Sequence, residues 1–256
     1  MPGHTLHQHG GYRFALFARR GGRVPELGDS ATLEWIGRFL GRIHAVGAIE
    51  PYQQRPVLDQ QSFGEEPLAY VFASGLLPRE LVDVYRGVAR QALDGVQRCI
   101  DRAGAVNTLR LHGDCHVGNI LWTEAGPHFV DFDDSRMGRM IQDIWMLLSG
   151  SRQEQSQQLA DVLAGYEDFY EFDTRELYLV EALRTLRLLH FSAGWRAAGT
   201  IRLSRRRSRG LTASAIGKNK SLPCVSKWRC WMSHRCGRCD GFGQPCRGLE
   251  VVQLFR

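Results

Sequence analysis

The sequence contains 256 residues, of which 43% are hydrophobic and 23% charged, a composition typical of a globular protein and not of a disordered or fibrous one. No apolar run approaches the roughly 18 residues that a membrane-spanning helix needs, and residues 1–14 lack the apolar centre of a secretory signal. These features argue against an integral membrane protein and against conventional secretion.

Charge divides the chain into two parts. Residues 1–200 contain 20 arginines, 25 acidic residues and no lysine, whereas residues 201–256 contain 13 basic and two acidic residues. Five of the seven cysteines lie in the second part, which leaves Cys99 and Cys115 in the first. A body with only two cysteines is typical of a protein in a reducing cytoplasm. We therefore expect a body followed by a separate basic, cysteine-rich tail.

The body is predicted to be mostly helical. A strand is expected over residues 11–17, where aromatic and small residues alternate, and a polar loop over residues 53–66. Asp29 or Ser30 can cap the first helix, Gly47 can end it, and Asp173 can cap the last one. Apolar residues at helical spacing predict helices over residues 32–46, 79–103, 140–148, 155–170 and 174–190.

The middle of the chain has a different pattern. Residues 109–130 read as a strand, a polar loop, a strand, a tight turn and a third strand, after which carboxylates cluster at residues 131–134. The loop, HGDCHVGN, contains four polar side chains among its eight residues, namely His112, Asp114, His116 and Asn119. Such a concentration of polar groups between apolar strands is costly to bury and is tolerated where chemistry requires it.

Phosphoryl transfer needs a carboxylate beside the attacking hydroxyl and oxygen ligands for the magnesium that bridges the phosphates. A loop of the form H-G-D-x-x-x-x-N supplies both, and an aspartate after the next strand pair adds a charged metal ligand. Here those positions are Asp114, Asn119 and Asp131. Gly113 stands where the eukaryotic H-R-D loop has arginine, and His116 is an additional histidine.

Two other interpretations of this segment are open. Zinc or iron could be bound by a cluster of imidazoles and carboxylates, although Gly113 and Gly118 argue against the helix that would align the two histidines. The candidate ligands are His112, His116, Asp131, Asp133 and Asp134. Alternatively, the segment could be a solvated acidic loop, which would not explain why strands flank it so closely.

A resemblance to a known family rests on residues 109–150, which read LRLHGDCHVGNILWTEAGPHFVDFDDSRMGRMIQDIWMLLSG. This segment resembles the core of the aminoglycoside phosphotransferase and choline kinase-like superfamily. The pair Cys115-His116 and the stretches FVDFDD and QDIWMLL are most similar to the bacterial stress response kinase A subfamily. With its flanking segments, the resemblance covers about residues 11–193.

The resemblance implies an α+β, protein-kinase-like fold, represented mainly by the helical C-lobe with a small catalytic hairpin. It also implies a cytoplasmic, monomeric serine/threonine protein kinase of bacterial stress response that uses ATP and Mg2+. Its partners would be protein substrates, with no specific nucleic acid and no membrane.

Specific roles follow from the resemblance for matching residues. Asp114 resembles the catalytic base, Asn119 and Asp131 resemble the magnesium ligands, and Asp131 also counts as catalytic. Asp143 resembles a buried structural brace of the catalytic loop. His112, Asp133 and Asp134 are candidates for supporting positions around the site, whereas the adenine-contacting residues cannot be assigned.

Both ends depart from the family pattern. Residues 1–26 are expected to be a remnant of the last N-lobe strand and the hinge, and residues 27–200 the C-lobe. The N-lobe lysine that pairs with the phosphates has no counterpart, because Lys218 is the first lysine of the chain. A catalytically inactive kinase remnant is therefore an alternative.

The tail, residues 201–256, is expected to be disordered and non-native, produced by a frameshift after about Ala193. Another alternative is zinc binding around Cys236 and Cys239, or nucleic-acid binding through residues 205–209.

Overall fold

The computed structural model describes residues 6–75, 77–203 and 251–255, with side chains described through residue 194. Its strands are β1 (His7–His9), β2 (Tyr12–Phe17), β3 (Leu109–Leu111), β4 (Ile120–Thr123), β5 (Gly126–Phe129), β6 (Arg136–Gly138) and β7 (Val251–Phe255). Its α-helices are α1 (Ser30–Gly47), α2 (Glu66–Ala73), α3 (Arg79–Ala103), α4 (Ile141–Trp145), α5 (Arg152–Tyr166) and α6 (Val180–Leu203). The chain forms two units, one of residues 1–19 with 203–256 and one of residues 20–202.

The first unit contains a three-stranded antiparallel sheet in the order β1-β2-β7. Gly10 and Gly11 both have positive φ and form the two-residue turn between β1 and β2, a conformation that glycine adopts without steric cost. Apart from residues 201–203 at the end of α6 and from β7, the expected tail lies outside the described residues. The predictions of a disordered tail, of zinc at its cysteines and of nucleic-acid binding at residues 205–209 therefore stay predictions.

The second unit is built around the packing of α1 against α5. Asp29 caps α1 by accepting a hydrogen bond from the Thr32 amide at 2.9 Å. The apolar face of α1 buries Leu33, Ile36 and Leu40 in the main core. Close approach of the two helices depends on Gly37, where a Cβ would overlap the Val162 carbonyl. Because apolar area is removed from water along this contact, it is a major source of the stability of the unit.

Two small antiparallel ladders lie in the middle of this unit. Strand β3 pairs with β6, and β4 pairs with β5 through the register Ile120 to Phe129 and Thr123 to Gly126. The polar loop at residues 112–119 connects β3 to β4, and the acidic segment at residues 131–134 connects β5 to β6. The two ladders therefore bring both candidate segments to neighbouring strand ends.

The predicted helices agree with the structure to different degrees. The helix over residues 79–103 is confirmed with the same bounds, and α1 begins and ends within two residues of its prediction. The predicted helix over 140–148 is shorter, and the one over 174–190 begins as a 3-10 turn, Thr174–Leu179, before α6. Helix α2 and strands β1 and β6 were not anticipated. No helix in the described part is long and apolar enough to cross a membrane.

Candidate active site

The polar loop turns sharply directly after β3. Gly113 has a φ of +87°, and a Cβ at this position would overlap the carbonyl group of Asp134. That carbonyl belongs to the acidic segment between β5 and β6, so the close approach ties the loop to this segment. Only glycine meets both the backbone conformation and the lack of space at this turn.

Asp143 anchors the loop from below. Its carboxylate is fully buried, and its two oxygens accept hydrogen bonds from the backbone amides of His112 at 2.7 Å and Gly113 at 2.9 Å. The neighbouring Gln142 donates from Nε2 to the Gly113 carbonyl at 3.2 Å. Since charge-assisted hydrogen bonds to a buried carboxylate are strong, α4 fixes the backbone from which Asp114 projects.

A buried chain of hydrogen bonds, called the relay below, connects the Asp143 carboxylate to two further helices. His44 of α1 lies 3.1 Å from Asp143 through Nε2 and 2.8 Å from the Tyr166 hydroxyl through Nδ1. Burial raises the pKa of Tyr166, so its hydroxyl keeps its proton and can donate to His44. When the Tyr166 hydroxyl donates to Nδ1, the Nε2–H of His44 donates to Asp143. The relay thus joins α1, α4 and α5 beneath the loop.

Asp114 is the carboxylate of the loop that reaches the surface. Its side chain is 21% exposed, and Oδ1 accepts a hydrogen bond from Nη2 of Arg187 on α6. Oδ2 lies 3.6 Å from Nε2 of His116, beyond hydrogen-bonding distance. One oxygen of the predicted base is therefore bound by Arg187, and the other lies at ion-pair distance from His116.

Asn119 ends the loop at the start of β4. Its Nδ2 donates to the Asp114 carbonyl at 3.0 Å, so its Oδ1 is the atom left to face a cation. Its own carbonyl accepts from the Val130 amide at 3.0 Å, one residue before Asp131. The β4–β5 hairpin therefore brings the backbones of the two predicted magnesium ligands together.

Asp131 has an unusual backbone conformation. Its φ and ψ are both 65°, and among the described residues it is the only non-glycine residue with positive φ. Aspartate tolerates this left-handed conformation better than most residues, but at a cost. Its exposed side chain leaves the end of β5 at this bend. Strain of this kind is often retained at functional sites.

The remaining candidates have supporting contacts. His112 is buried and lies 2.8 Å from the Val130 carbonyl through Nε2, so its ring helps to join the loop to the end of β5. The carbonyl of Asp133 accepts from Arg55, and the carboxylate of Asp134 accepts from Arg136 at 2.7 Å. Within the described part of the chain, no three His, Cys, Asp or Glu side chains are grouped to hold a metal ion. The zinc or iron interpretation therefore finds no support there.

Buried Glu176 supports the helix that carries Asp143. Its Oε2 accepts a hydrogen bond from the Ile141 amide, at the start of α4, at 2.9 Å. Burial raises the pKa of Glu176 to about 7, because the charged form is poorly solvated there. The start of α4 is thus held by a group that titrates near neutral pH.

The sequence interpretation did not single out three of these residues. A titratable side chain at an otherwise apolar core position of a helix was the signal that could have revealed them. His44 follows the buried Leu40 by four residues, and Arg187 follows the buried Leu183 by four. The missed residues are His44, Glu176 and Arg187.

Curated relatives are substantially similar in sequence. Stress response kinase A of Salmonella choleraesuis is 42% identical over 191 residues, which are 75% of this chain and 57% of that protein. The serine/threonine protein kinase RdoA of Salmonella typhimurium is also 42% identical, and stress response kinase A of Escherichia coli K12 is 40% identical, with the same coverage. The chain thus spans under two thirds of the length of these relatives.

Solved structures support the fold. Amicoumacin kinase hAmiN, solved in complex with AMP-PNP, Ca2+ and Ami, gives a TM-score of 0.56 at 19% identity, covering 84% of this chain and 62% of that one. A microcompartment-associated aminopropanol kinase gives 0.52 at 21% identity, covering 80% and 65%. These likenesses confirm the prediction of an α+β, kinase-like fold. The model of the phosphotransferase enzyme family (APH) matches residues 2–180, and the chain belongs to this family of kinase-like enzymes.

Proposed function

We propose that this chain carries the catalytic half of an ATP- and magnesium-dependent kinase that phosphorylates serine or threonine residues of proteins. The names of relatives at 40–42% identity support this assignment and a role in bacterial stress response. The chain spans 57% of the length of those relatives. We therefore propose the activity of the whole protein from its similarity to them. We also propose that the protein is a cytoplasmic monomer that acts on proteins and has no nucleic-acid or membrane partner.

The observation that carries the proposal is the fixed position of Asp114. Its loop backbone is held by both oxygens of Asp143, and its own carboxylate remains partly exposed. A general base needs a carboxylate oxygen within reach of the hydroxyl whose proton it takes. Catalysis of phosphoryl transfer depends almost entirely on positioning and charge stabilisation. A rigid loop with one accessible carboxylate meets the requirement for positioning.

The residues beside Asp114 fit a magnesium ion. Asn119 uses its Nδ2 in the contact with Asp114, which leaves an amide oxygen, and Asp131 adds an exposed carboxylate. Magnesium prefers oxygen ligands and takes few from the protein, with phosphates and waters completing its octahedron. Asn119 and Asp131 would hold the ion, which when bound would neutralise charge on the transferred phosphate.

In the proposed reaction, one proton is transferred from the substrate to this chain. The acceptor hydroxyl gives its proton to Asp114 as its oxygen forms a bond to the γ-phosphorus of ATP. The bond from that phosphorus to the bridging oxygen breaks, and ADP leaves with the electron pair. Arg187 and the Asp143 brace hold Asp114 during this step without reacting themselves.

Residues 1–200 contain no lysine, and this should lower the activity of the chain alone. Without a fixed cation on the phosphates, a loss on the order of 4 kcal/mol of transition-state stabilisation is expected. We therefore expect negligible transfer from radiolabelled ATP to a generic serine/threonine substrate by the chain alone. Fusion to the N-terminal part of a Salmonella relative, with the reading frame restored after Ala193, should recover transfer.

Asp114→Ala in this fusion should abolish transfer, whereas Asp161→Ala, at a partly exposed aspartate that accepts a hydrogen bond from Gln157 on α5, should leave it unchanged. Transfer that survives Asp114→Ala would refute the proposed base. Strong Asp114-dependent transfer by the unfused chain would refute the inactive-remnant alternative. A fusion that folds and binds ATP but transfers nothing would refute the kinase proposal itself.

A further inference from the structure

Arg187 is a buried cation in the apolar face of α6. Its side chain is 8% exposed, and its guanidinium lies over the Phe191 ring at 4.7 Å. Leu183 and Leu186, on the same side of the helix, belong to the hydrophobic core. Burying an arginine among such groups is costly unless the charge is paired. The pairing partner is Asp114, which lies 73 residues earlier in the chain.

The two oxygens of Asp114 have different surroundings. Arg187 donates to Oδ1, whereas Oδ2 contacts, within the described part of the chain, the more distant Nε2 of His116, at 3.6 Å. A guanidinium keeps its charge at every physiological pH and holds a carboxylate in a defined orientation. The Arg187 contact therefore restricts rotation of the Asp114 side chain and leaves Oδ2 as the available oxygen.

We propose that Arg187 is a positioning residue for the phosphoryl-transfer reaction. It holds Asp114 through Oδ1, so that Oδ2 receives the proton of the acceptor hydroxyl. The proposal rests on the proposed function, because it assumes that Asp114 is the base. It adds a requirement from α6, an element that the phosphotransferase motif in residues 112–131 does not contain.

The test measures the side-chain rotamer of Asp114 in the full chain. Three-bond NMR couplings from its Cγ to the backbone nitrogen and carbonyl carbon report the populations about χ1. We expect a single rotamer in the unaltered chain and exchange among staggered rotamers in Arg187→Gln. Arg187→Lys should retain most of the single rotamer, because its ammonium can still donate to Oδ1. Arg184→Gln is the matched control, since Arg184 pairs on the same helix with the exposed Glu181.

Arg187→Met serves as a second variant if Arg187→Gln does not fold, because it fills the same space with apolar atoms. It should also release Asp114 from its single rotamer. A folded Arg187→Gln or Arg187→Met protein that keeps one Asp114 rotamer would overturn the inference. An Arg184→Gln protein with the same rotamer exchange would also overturn it, because the effect would then belong to the helix and not to the contact.

A kinetic measurement separates this inference from the proposed function. In the fusion with a relative's N-terminal part, Arg187→Gln should lower kcat on the order of 100-fold and leave the KM for ATP unchanged. Asp114-dependent transfer with an unchanged kcat in Arg187→Gln would refute the positioning role alone. Complete absence of transfer, together with a released Asp114 rotamer in Arg187→Gln, would refute the proposed function and leave the contact as observed.

Discussion

The two segments that carry the candidate acids are built in opposite ways. The loop at residues 112–119 is fixed from inside by Asp143, which is fully buried and itself contacts His44. The segment at residues 131–134 is exposed and begins with the left-handed Asp131. Its side-chain contacts include the pair of the exposed Asp134 carboxylate with the largely buried Arg136.

This difference matches the chemistry proposed for each segment. A base must keep its oxygen within a fraction of an ångström of the position at which the proton is transferred, so its loop needs rigid support. A magnesium ligand can remain exposed, because the cation and its phosphates order the carboxylate when they bind. Stability should therefore depend strongly on the support of the first segment and weakly on the side chains of the second.

The largest expected effect comes from removing the brace. Asp143→Ala leaves two buried backbone amides and His44 without their acceptor, so the free energy of unfolding should fall by about 3–5 kcal/mol. Urea denaturation followed by circular dichroism measures this change. Asp161→Ala, at a partly exposed position of α5, is the matched control and should change the free energy by less than about 0.5 kcal/mol.

Asp143→Asn sharpens the same prediction. An amide has one acceptor oxygen, so it can serve the amide of His112 or of Gly113 but not both. It should therefore also be strongly destabilising despite its matching shape. A loss near that of the Asp161 control would show that the loop does not depend on this carboxylate.

The sequence predicts much of the site because the motif is local. The polar loop and the acidic segment stand within 23 residues, and the strand pattern between them predicts their pairing. The α1 and α3 helices follow from apolar spacing, and the start of α1 follows also from the N-cap residue Asp29. Local signals of this kind require no knowledge of what packs where.

The rest depends on contacts between distant parts of the chain. Arg187 contacts Asp114, and His44 contacts Asp143, which is 99 residues away in the sequence. Neither contact produces a regular spacing of residues that could be recognised in a single sequence. The helix over residues 140–148 was predicted too long, since its apolar period continues although the helix ends after Trp145. Strand β6 was missed because its three residues, Arg-Met-Gly, lack the apolar alternation that the equally short β3 shows as Leu-Arg-Leu.

A smaller effect should appear as pH dependence at Glu176. Its pKa is raised from an ordinary value of 4.5 to about 7, so the folded chain holds this proton more tightly than the unfolded chain does. The stabilisation is therefore full below about pH 4.5 and is lost as the pH rises through 7. The loss amounts to at most about 3 kcal/mol.

Unfolding free energies at pH 5 and pH 8 test the role of Glu176. Glu176→Gln should flatten the decline between these pH values, whereas Glu181→Gln, the same change at an exposed position of α6, should leave the decline in place. A Glu176→Gln protein with the full decline would show that another group causes it.

The smallest effect is expected in the acidic segment. Asp134 is 59% exposed, and its carboxylate pairs with Arg136 at 2.7 Å. The Arg136 side chain is only 12% exposed, but it keeps the hydrogen bond from its Nε to the Asp134 carbonyl in Asp134→Asn. Because water also screens the exposed Asp134 carboxylate, this substitution should lower the free energy of unfolding by no more than about 1 kcal/mol. The Asp134 carbonyl, which lies against Gly113, is unchanged by this substitution. Parallel urea denaturation of Asp134→Asn and Asp143→Asn compares the two segments directly. Equal losses in the two proteins would mean that the acidic segment, too, is held by its side chains, and the contrast between a rigid base loop and an adaptable metal segment would fail.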